Sequence, residues 1–212
     1  NDQLPENFQL NRQIGENEQY ICKLIREDLI EDFIIYVNKN DTDLSMKINP
    51  SIFETNSFLL QKETSLIEYS AFFGSVQIFK YLYLNQPDLN TTSIWLYAIH
   101  SDNPELIHYL DDQKIKPKDE SFEECLIEAI KCHHIDIANY ILYNFVNLEK
   151  YNEKMAFSKA IKYYNFCCFQ TDLTNCDDKI LFDLCKYNHF EIVEFLLRTK
   201  KIENINEKIV LN

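Results

Sequence analysis

The sequence predicts an all-α chain built from stacked helical hairpins. Three observations point that way. A short phrase returns along the chain, as VQIFKYL at 76–82, PELIHYL at 104–110, IDIANYI at 135–141 and FEIVEFL at 190–196, with a fainter copy, EDFIIYV, at 31–37. Its apolar residues recur at spacings of three and four, which place them on one helical stripe. Only two of the 212 residues are glycine, which argues against a fold of tight β-turns and against a glycine-rich phosphate loop. One recurring two-helix unit marks a solenoid, whose units bury their apolar faces against one another.

The elements follow from two sets of columns. In the second helix of each unit, Phe33, Ile78, Leu106, Ile137 and Ile192 align. Tyr36, Tyr81, Tyr109, Tyr140 and Phe195 lie three residues on, and Val37, Leu82, Leu110, Ile141 and Leu196 one further. All three columns are expected in the core, the aromatic one as a buried ladder. Upstream, the first helices carry Ile21, Leu66, Ile94, Cys125 and Ile180, followed by Cys22, Ile67, Trp95, Leu126 and Leu181. Four residues after the first of these columns stand Ile25, Ser70, Ala98, Ala129 and Leu184. Small residues in that column let neighbouring first helices approach closely.

The turn between the helices has its own signature. Gly74, Asp102, His133 and Asn188 occupy one aligned position. Positive φ is free for glycine and least costly for Asn, Asp and His, so a shared left-handed turn is expected. Ser75, Asn103, His134 and His189 come next. Ser and Asn suit an N-cap there, and Pro104 suits the first helical turn. Glu105, Asp136 and Glu191 then match the positive end of the second helix.

TSLIEYSAFFGSVQIFKYLYLNQPDLN at 64–90 and LCKYNHFEIVEFLLRTKKIENIN at 184–206 resemble degenerate ankyrin repeats. His134 and His189 match that family's turn histidine, and Asn90 and Asn206 its loop asparagine. The run from 21–28 to 103–110 is similar to a subfamily abundant in parasitic protists, in which a divergent N-terminal segment precedes ankyrin repeats. The resemblance implies a solenoid of about five units: a capping segment with a first helical pair at 1–63, repeats at about 64–90, 91–118, 121–150, 153–174 and 177–206, and a tail or further repeat at 207–212. Two places depart from the pattern. The stretch 38–63 is too long for a standard loop and is expected to carry an extra helix near 51–61 or to wrap the N-terminal end. The unit at 153–174 is expected to be shortened, with Tyr164 at its turn and a short second helix, FCCFQTDL.

The bulk numbers bound the function. The apolar fraction is 46% and the charged fraction 26%, ordinary for a soluble chain. A formal charge of −13 disfavours a nucleic-acid partner, which requires a basic face. No apolar run reaches the roughly 18–20 residues that cross a bilayer, and the first residues lack the layout of a signal peptide. The absent initiator methionine reads as a fragment of a longer protein. Seven cysteines, most of them inside apolar-periodic segments, suggest reduced thiols in an intracellular, cytoplasmic protein.

No assembled catalytic set is evident. Cys132, His133 and His134 look like a metal cluster, but neighbouring residues rarely aim at one ion, and no second ligand pair has suitable spacing. Cys185 and His189 are separated by the expected turn at Asn188. Cys167 and Cys168 sit in an apolar patch. Glu123, Glu124 and Glu128, and the pairs Asp111–Asp112 and Asp177–Asp178, match helix starts and solvated loops. Neither enzyme nor cofactor is therefore expected. The ankyrin resemblance instead implies binding on a concave face made by first helices and loop tips. The positions it assigns to that face are Phe72, Phe73, His100, Ser101, Lys131, Cys132, Lys162, Tyr163, Lys186 and Tyr187. Aromatics interleaved with lysine resemble an interface hot spot, although Phe72 and Phe73 could instead pack on the 38–63 stretch. Loops 85–92 and 143–153 are secondary candidates. The expected role is a scaffold for a protein partner. The alternatives are a structural part of a longer array that binds elsewhere or associates with itself and, less favoured, a metal-dependent hydrolase.

Overall fold

The computed structural model describes residues 7–60, 63–86, 93–117, 120–147, 153–166 and 178–199. These residues form thirteen helices and no strand; the β pairing among them is one isolated antiparallel bridge between Lys47 and Ser65. The fold is all-α. Loop residues 87–92 and 148–152, Asn90, Asn206, Cys167, Cys168, Asp177, nearly all of FCCFQTDL and the segment 200–212 lie outside the described residues.

The chain divides into two compact units, Asn1–Cys125 and Leu126–Asn212. In the first unit, α2 (Tyr20–Arg26) and α3 (Ile30–Lys39) form a pair, as do α5 (Leu66–Phe73) with α6 (Val76–Leu84) and α7 (Ile94–His100) with α8 (Pro104–Asp112). Helix α5 packs on both α2 and α7, and α3 packs on α6. The N-terminal pair is thus joined to the pairs that follow it.

Burial explains this packing. Ile21, Leu66 and Ile94, then Cys22, Ile67 and Trp95, then Ile25, Ser70 and Ala98 are all buried. So are Phe33, Ile78 and Leu106, and Val37, Leu82 and Leu110. The Trp95 indole N–H donates to the Ile115 carbonyl at 2.6 Å, which satisfies its polar group in the core. The aromatic column departs from expectation. Tyr36, Tyr81 and Tyr109 are half-buried, while Phe79 and Ile107, on the other flank of the stripe, are buried. The stripe is therefore centred closer to the first column than the sequence pattern suggested. The tyrosines act as edge contacts: Tyr81 meets Phe33 edge-on at 6.1 Å, and Tyr109 meets Phe79 at 6.0 Å.

Two helices fall outside the repeating pattern, α1 (Phe8–Ile14) and the single turn α4 (Ser57–Leu60). The stretch between α3 and α5 folds back on the N-terminal end. Asn17 Nδ2 and Gln19 Nε2 both donate to the Asn49 carbonyl, and the Thr55 N–H donates to the Gly15 carbonyl. Phe53 buries against Phe8 with ring centroids 5.5 Å apart. A capping box then starts α5. The Glu68 N–H donates to Ser65 Oγ, and the Ser65 N–H donates to Glu68 Oε2.

The second unit contains most of α9 (Glu123–Cys132), then α10 (Ile135–Asn144), α11 (Glu153–Lys162), α12 (Asp178–Lys186) and α13 (Phe190–Thr199). Phe157, Ile161, Ile180, Leu184 and Leu196 form one core cluster, with Tyr187, Ile192 and Val193 packed against it. Leu126, Ala129, Ile137 and Ile141 are buried as their columns require. Here too the aromatic column lies off-centre: Tyr140 is half-buried, and Phe195 is 52% exposed.

Candidate functional site

The ends of the first helices and the turns after them position the candidate residues. All four aligned turn residues have left-handed backbone: φ is 68° at Gly74, 50° at Asp102, 62° at His133 and 62° at Asn188. Asp28 and Tyr164 share the conformation, with φ of 50° and 57°. The following residue often reaches a carbonyl in another pair of its own unit. Ser75 Oγ donates to Ile25 O, Asn165 Nδ2 to Ile130 O at 2.8 Å, and His189 Nε2 to Ile161 O at 2.7 Å. In each case the acceptor lies three residues before a left-handed turn residue. A carbonyl only accepts, so the His189 proton sits on Nε2. Asn103 does two things: Nδ2 donates to Gly74 O, and Oδ1 accepts from the Glu105 and Leu106 N–H groups. Ser75 gives α6 no side-chain cap, because its hydroxyl is used on Ile25. Asp28 caps that helix instead, accepting from the Gln77 and Ile78 N–H groups at 3.1 and 3.0 Å.

In the first unit the expected positions Phe72, Phe73, His100 and Ser101 lie close together. Phe72 is not an open anchor. It is 8% exposed, because Phe58 from the long stretch stacks on it at 6.0 Å and His100 at 5.0 Å. Phe58 also meets Tyr97 at 4.9 Å and His100 at 4.1 Å. Of the two readings of Phe72, packing on the 38–63 stretch describes the observed contacts. Phe73 is half-buried between Tyr69 and the Arg26 guanidinium, which lies 6.0 Å from its ring. The Ser101 hydroxyl donates to Ala98 O and accepts from the Asn103 N–H, so it stitches the turn.

In the second unit the candidates form a different surface. Lys162 Nζ lies 5.1 Å from the Tyr163 ring, and Lys186 Nζ lies 5.3 Å from the Tyr187 ring. Both lysines are exposed, and both tyrosines are half-buried. Lys131 is paired with Glu128 at 2.8 Å. Burial, the largest influence, lowers its pKa, but the hydrogen bond and charge of Glu128, together with Cys132 and Tyr163, raise it on balance. Cys132 beside it is a thiol held protonated, pushed up to about 12 by burial and by Glu128, which makes it a poor nucleophile at neutral pH. Cys185 is exposed, whereas His189 is buried on the Ile161 carbonyl. The pair therefore does not present a shared ligand set.

Tyr164 stands at a turn position in the repeat register, yet it is 57% exposed on this surface, with its hydroxyl donating to Tyr187 O and its ring 4.3 Å from that of His189. Phe182, 65% exposed, lies between two core columns, where the repeat alignment carries no signal. No family model, curated protein or solved structure matches the chain.

Proposed function

We propose that the chain is a non-catalytic protein-interaction module of degenerate ankyrin-type repeats, binding through the second unit's first-helix ends. One observation carries this reading. A lysine set over the following tyrosine recurs at Lys162–Tyr163 and Lys186–Tyr187, on the last turns of two successive first helices. Lys131, paired with Glu128, stands at the corresponding place on α9. On a chain of formal charge −13, this is a local basic and aromatic strip. It suits a partner bearing carboxylates among apolar side chains. The shared left-handed turns and the recurring side-chain-to-carbonyl bonds support the repeat assignment.

The test is affinity capture from native cell extract with the wild-type chain and with K131E/K162E/K186E, each melted by circular dichroism. The expected result is loss of the captured protein at unchanged helical content. Equal capture by the triple variant removes this face as the binding surface.

A structural role in a longer array is favoured by a separate observation. Phe182, Phe190, Phe195 and Leu197 on α12 and α13 are exposed by 41–71%. Exposed apolar side chains on the last described helical pair suit cover by a further pair. Concentration-dependent association, abolished by F182K/F190K, would favour that role.

A further inference from the structure

In the second unit, α12 turns one face outward. Lys179, Phe182 and Lys186 stand on it at i, i+3 and i+7, and all three are exposed. At 1.5 Å per residue, the two lysines lie about 10.5 Å apart along the helix axis. Asp178, also exposed, falls on one flank of this face. Asp183 falls on the other, where it is buried and accepts the Ser158 hydroxyl of α11.

Helices α11 and α12 pack side by side. Ser158 meets Asp183, and the Tyr164 hydroxyl, just beyond α11, reaches the Tyr187 carbonyl, just beyond α12. Sequence position rises in the same sense at both contacts, so the helices run parallel and Lys162 stands at the same end as Lys186. Between them runs a groove with the Ser158–Asp183 bond at its floor. Among the described residues, none of Lys162, Lys179 and Lys186 makes an ion pair. Lys23, Lys47, Lys80 and Lys116, by contrast, each pair with a glutamate. Lys162 and Lys186 lie against tyrosine rings instead. Those rings cover one side of each ammonium and leave its donors to solvent or to a partner.

We propose that this groove docks an acidic amphipathic helix of a partner protein, with two carboxylates two turns apart on one face and an apolar side chain between them. The inference rests on the interaction role proposed above. A helix laid along α12 has the same rise per residue, so its i and i+7 carboxylates meet Lys179 and Lys186 in register. An apolar residue at i+3 or i+4 then lies on Phe182. Two parallel helices leave a channel into which a third packs at a crossing angle of about 20°. An extended strand matches less well, because its same-face residues repeat at about 6.7 and 13 Å. Three lysines also fall short of the roughly 4–8 basic residues of an anionic-lipid site.

The experiment is fluorescence anisotropy of the 212-residue chain with a short peptide held helical by a hydrocarbon staple on its far face. The peptide carries Glu at i and i+7 and Leu at i+4. Saturable binding is expected. It should weaken about fivefold or more when both glutamates become glutamine, or in the variant Lys179→Glu/Lys186→Glu. A peptide with Lys at i and i+7 should bind that variant better than it binds the wild-type chain. No saturable binding at millimolar peptide, equal binding of the glutamine peptide, or equal binding of an unstapled peptide with a central proline overturns the proposal. These peptide comparisons use the wild-type chain and decide the matter even if the double variant does not fold. Salt-sensitive dimerisation, or binding to phosphatidylserine vesicles, that the double variant loses while the peptide stays unbound gives the groove to a second copy or a membrane and overturns it too. Cellular capture lost in K131E/K162E/K186E without peptide binding leaves the interaction role standing and removes the helix.

Discussion

His189 donates from Nε2 to the main-chain carbonyl of Ile161 at 2.7 Å, and its side chain is only 8% exposed. Asn165 makes the equivalent bond to Ile130 at 2.8 Å. An imidazole and a carboxamide thus fill one structural position because each extends an N–H donor to the same kind of acceptor. His189→Ala should leave the Ile161 carbonyl without its donor and cost about 1–3 kcal/mol. His189→Asn should recover part of that loss. Urea unfolding followed by circular dichroism measures both. An alanine variant as stable as wild type would show that the bond contributes nothing.

The left-handed turns predict substitutions of opposite sign. Gly74 has φ of 68°, and a Cβ placed there would lie 3.1 Å from the Cβ atoms of both Ser101 and Asn103. Gly74→Ala combines left-handed strain with crowding and should destabilise by about 1–3 kcal/mol. His133 has φ of 62° and is exposed. His133→Gly relieves the strain of about 1–2 kcal/mol and returns about 0.4–1 kcal/mol to unfolded-chain entropy. A net gain of about 0.5–1 kcal/mol is expected. Thermal melts of the two variants should move in opposite directions; movement in the same direction contradicts the argument.

Much of the fold was readable because the turn residues are chemically diverse yet share one backbone tolerance. Gly74, Asp102, His133 and Asn188 have little else in common. The helical columns were readable because periodicity locates an apolar stripe. Periodicity does not locate the centre of that stripe within one residue, and so Tyr81 and Tyr109 lie shallower, and Phe79 deeper, than their columns imply. The cap of α6 was hidden for another reason. Ser75 is a good N-cap by type, but whether its hydroxyl goes to its own helix or to Ile25 depends on a tertiary contact 50 residues away. The pairing of Ser158 with Asp183 gave no sequence signal, because it exists only once α12 packs on α11.

Cys22 should make stability fall in alkali. Burial pushes its thiol from 9.0 up to about 12, against the opposing pull of Arg26 and Tyr69. Between these values the unfolded chain has released the proton and the folded chain still holds it. Stability is therefore full below pH 9 and declines as pH rises towards 12, by about 1.4 kcal/mol per pH unit from this group. Cys22→Ala should flatten the slope by that amount between pH 9 and 10.5, read by urea unfolding with fluorescence of the single tryptophan, Trp95. Tyr69, also raised by burial, contributes nearer the top of the range and remains in both proteins. An unchanged slope would mean that Cys22 titrates as an exposed thiol. Peptide mapping after brief alkylation at neutral pH should find the exposed Cys185 modified and the buried Cys22 intact.

Phe58 decides whether the first unit's aromatic surface is open or covered. Its ring stacks on Phe72 and meets Tyr97 and His100, and all of these contacts come from a single-turn helix in the long stretch. Phe58 is itself only half-buried, so Phe58→Ala should cost less than a fully buried phenylalanine, about 1–3 kcal/mol. The larger effect should be local. With the ring gone, Phe72 and His100 lose their cover, and the 47–60 stretch loses an anchor to α5 and α7. Hydrogen exchange should then speed up in 47–60 and at the C-terminal end of α5, while α3 and α8 keep wild-type protection. Phe58→Leu should restore most of the protection, since an apolar side chain of similar reach still covers Phe72. Uniformly faster exchange across the unit would mean that Phe58 supports the whole core; no change anywhere would mean that Phe72 is covered without it.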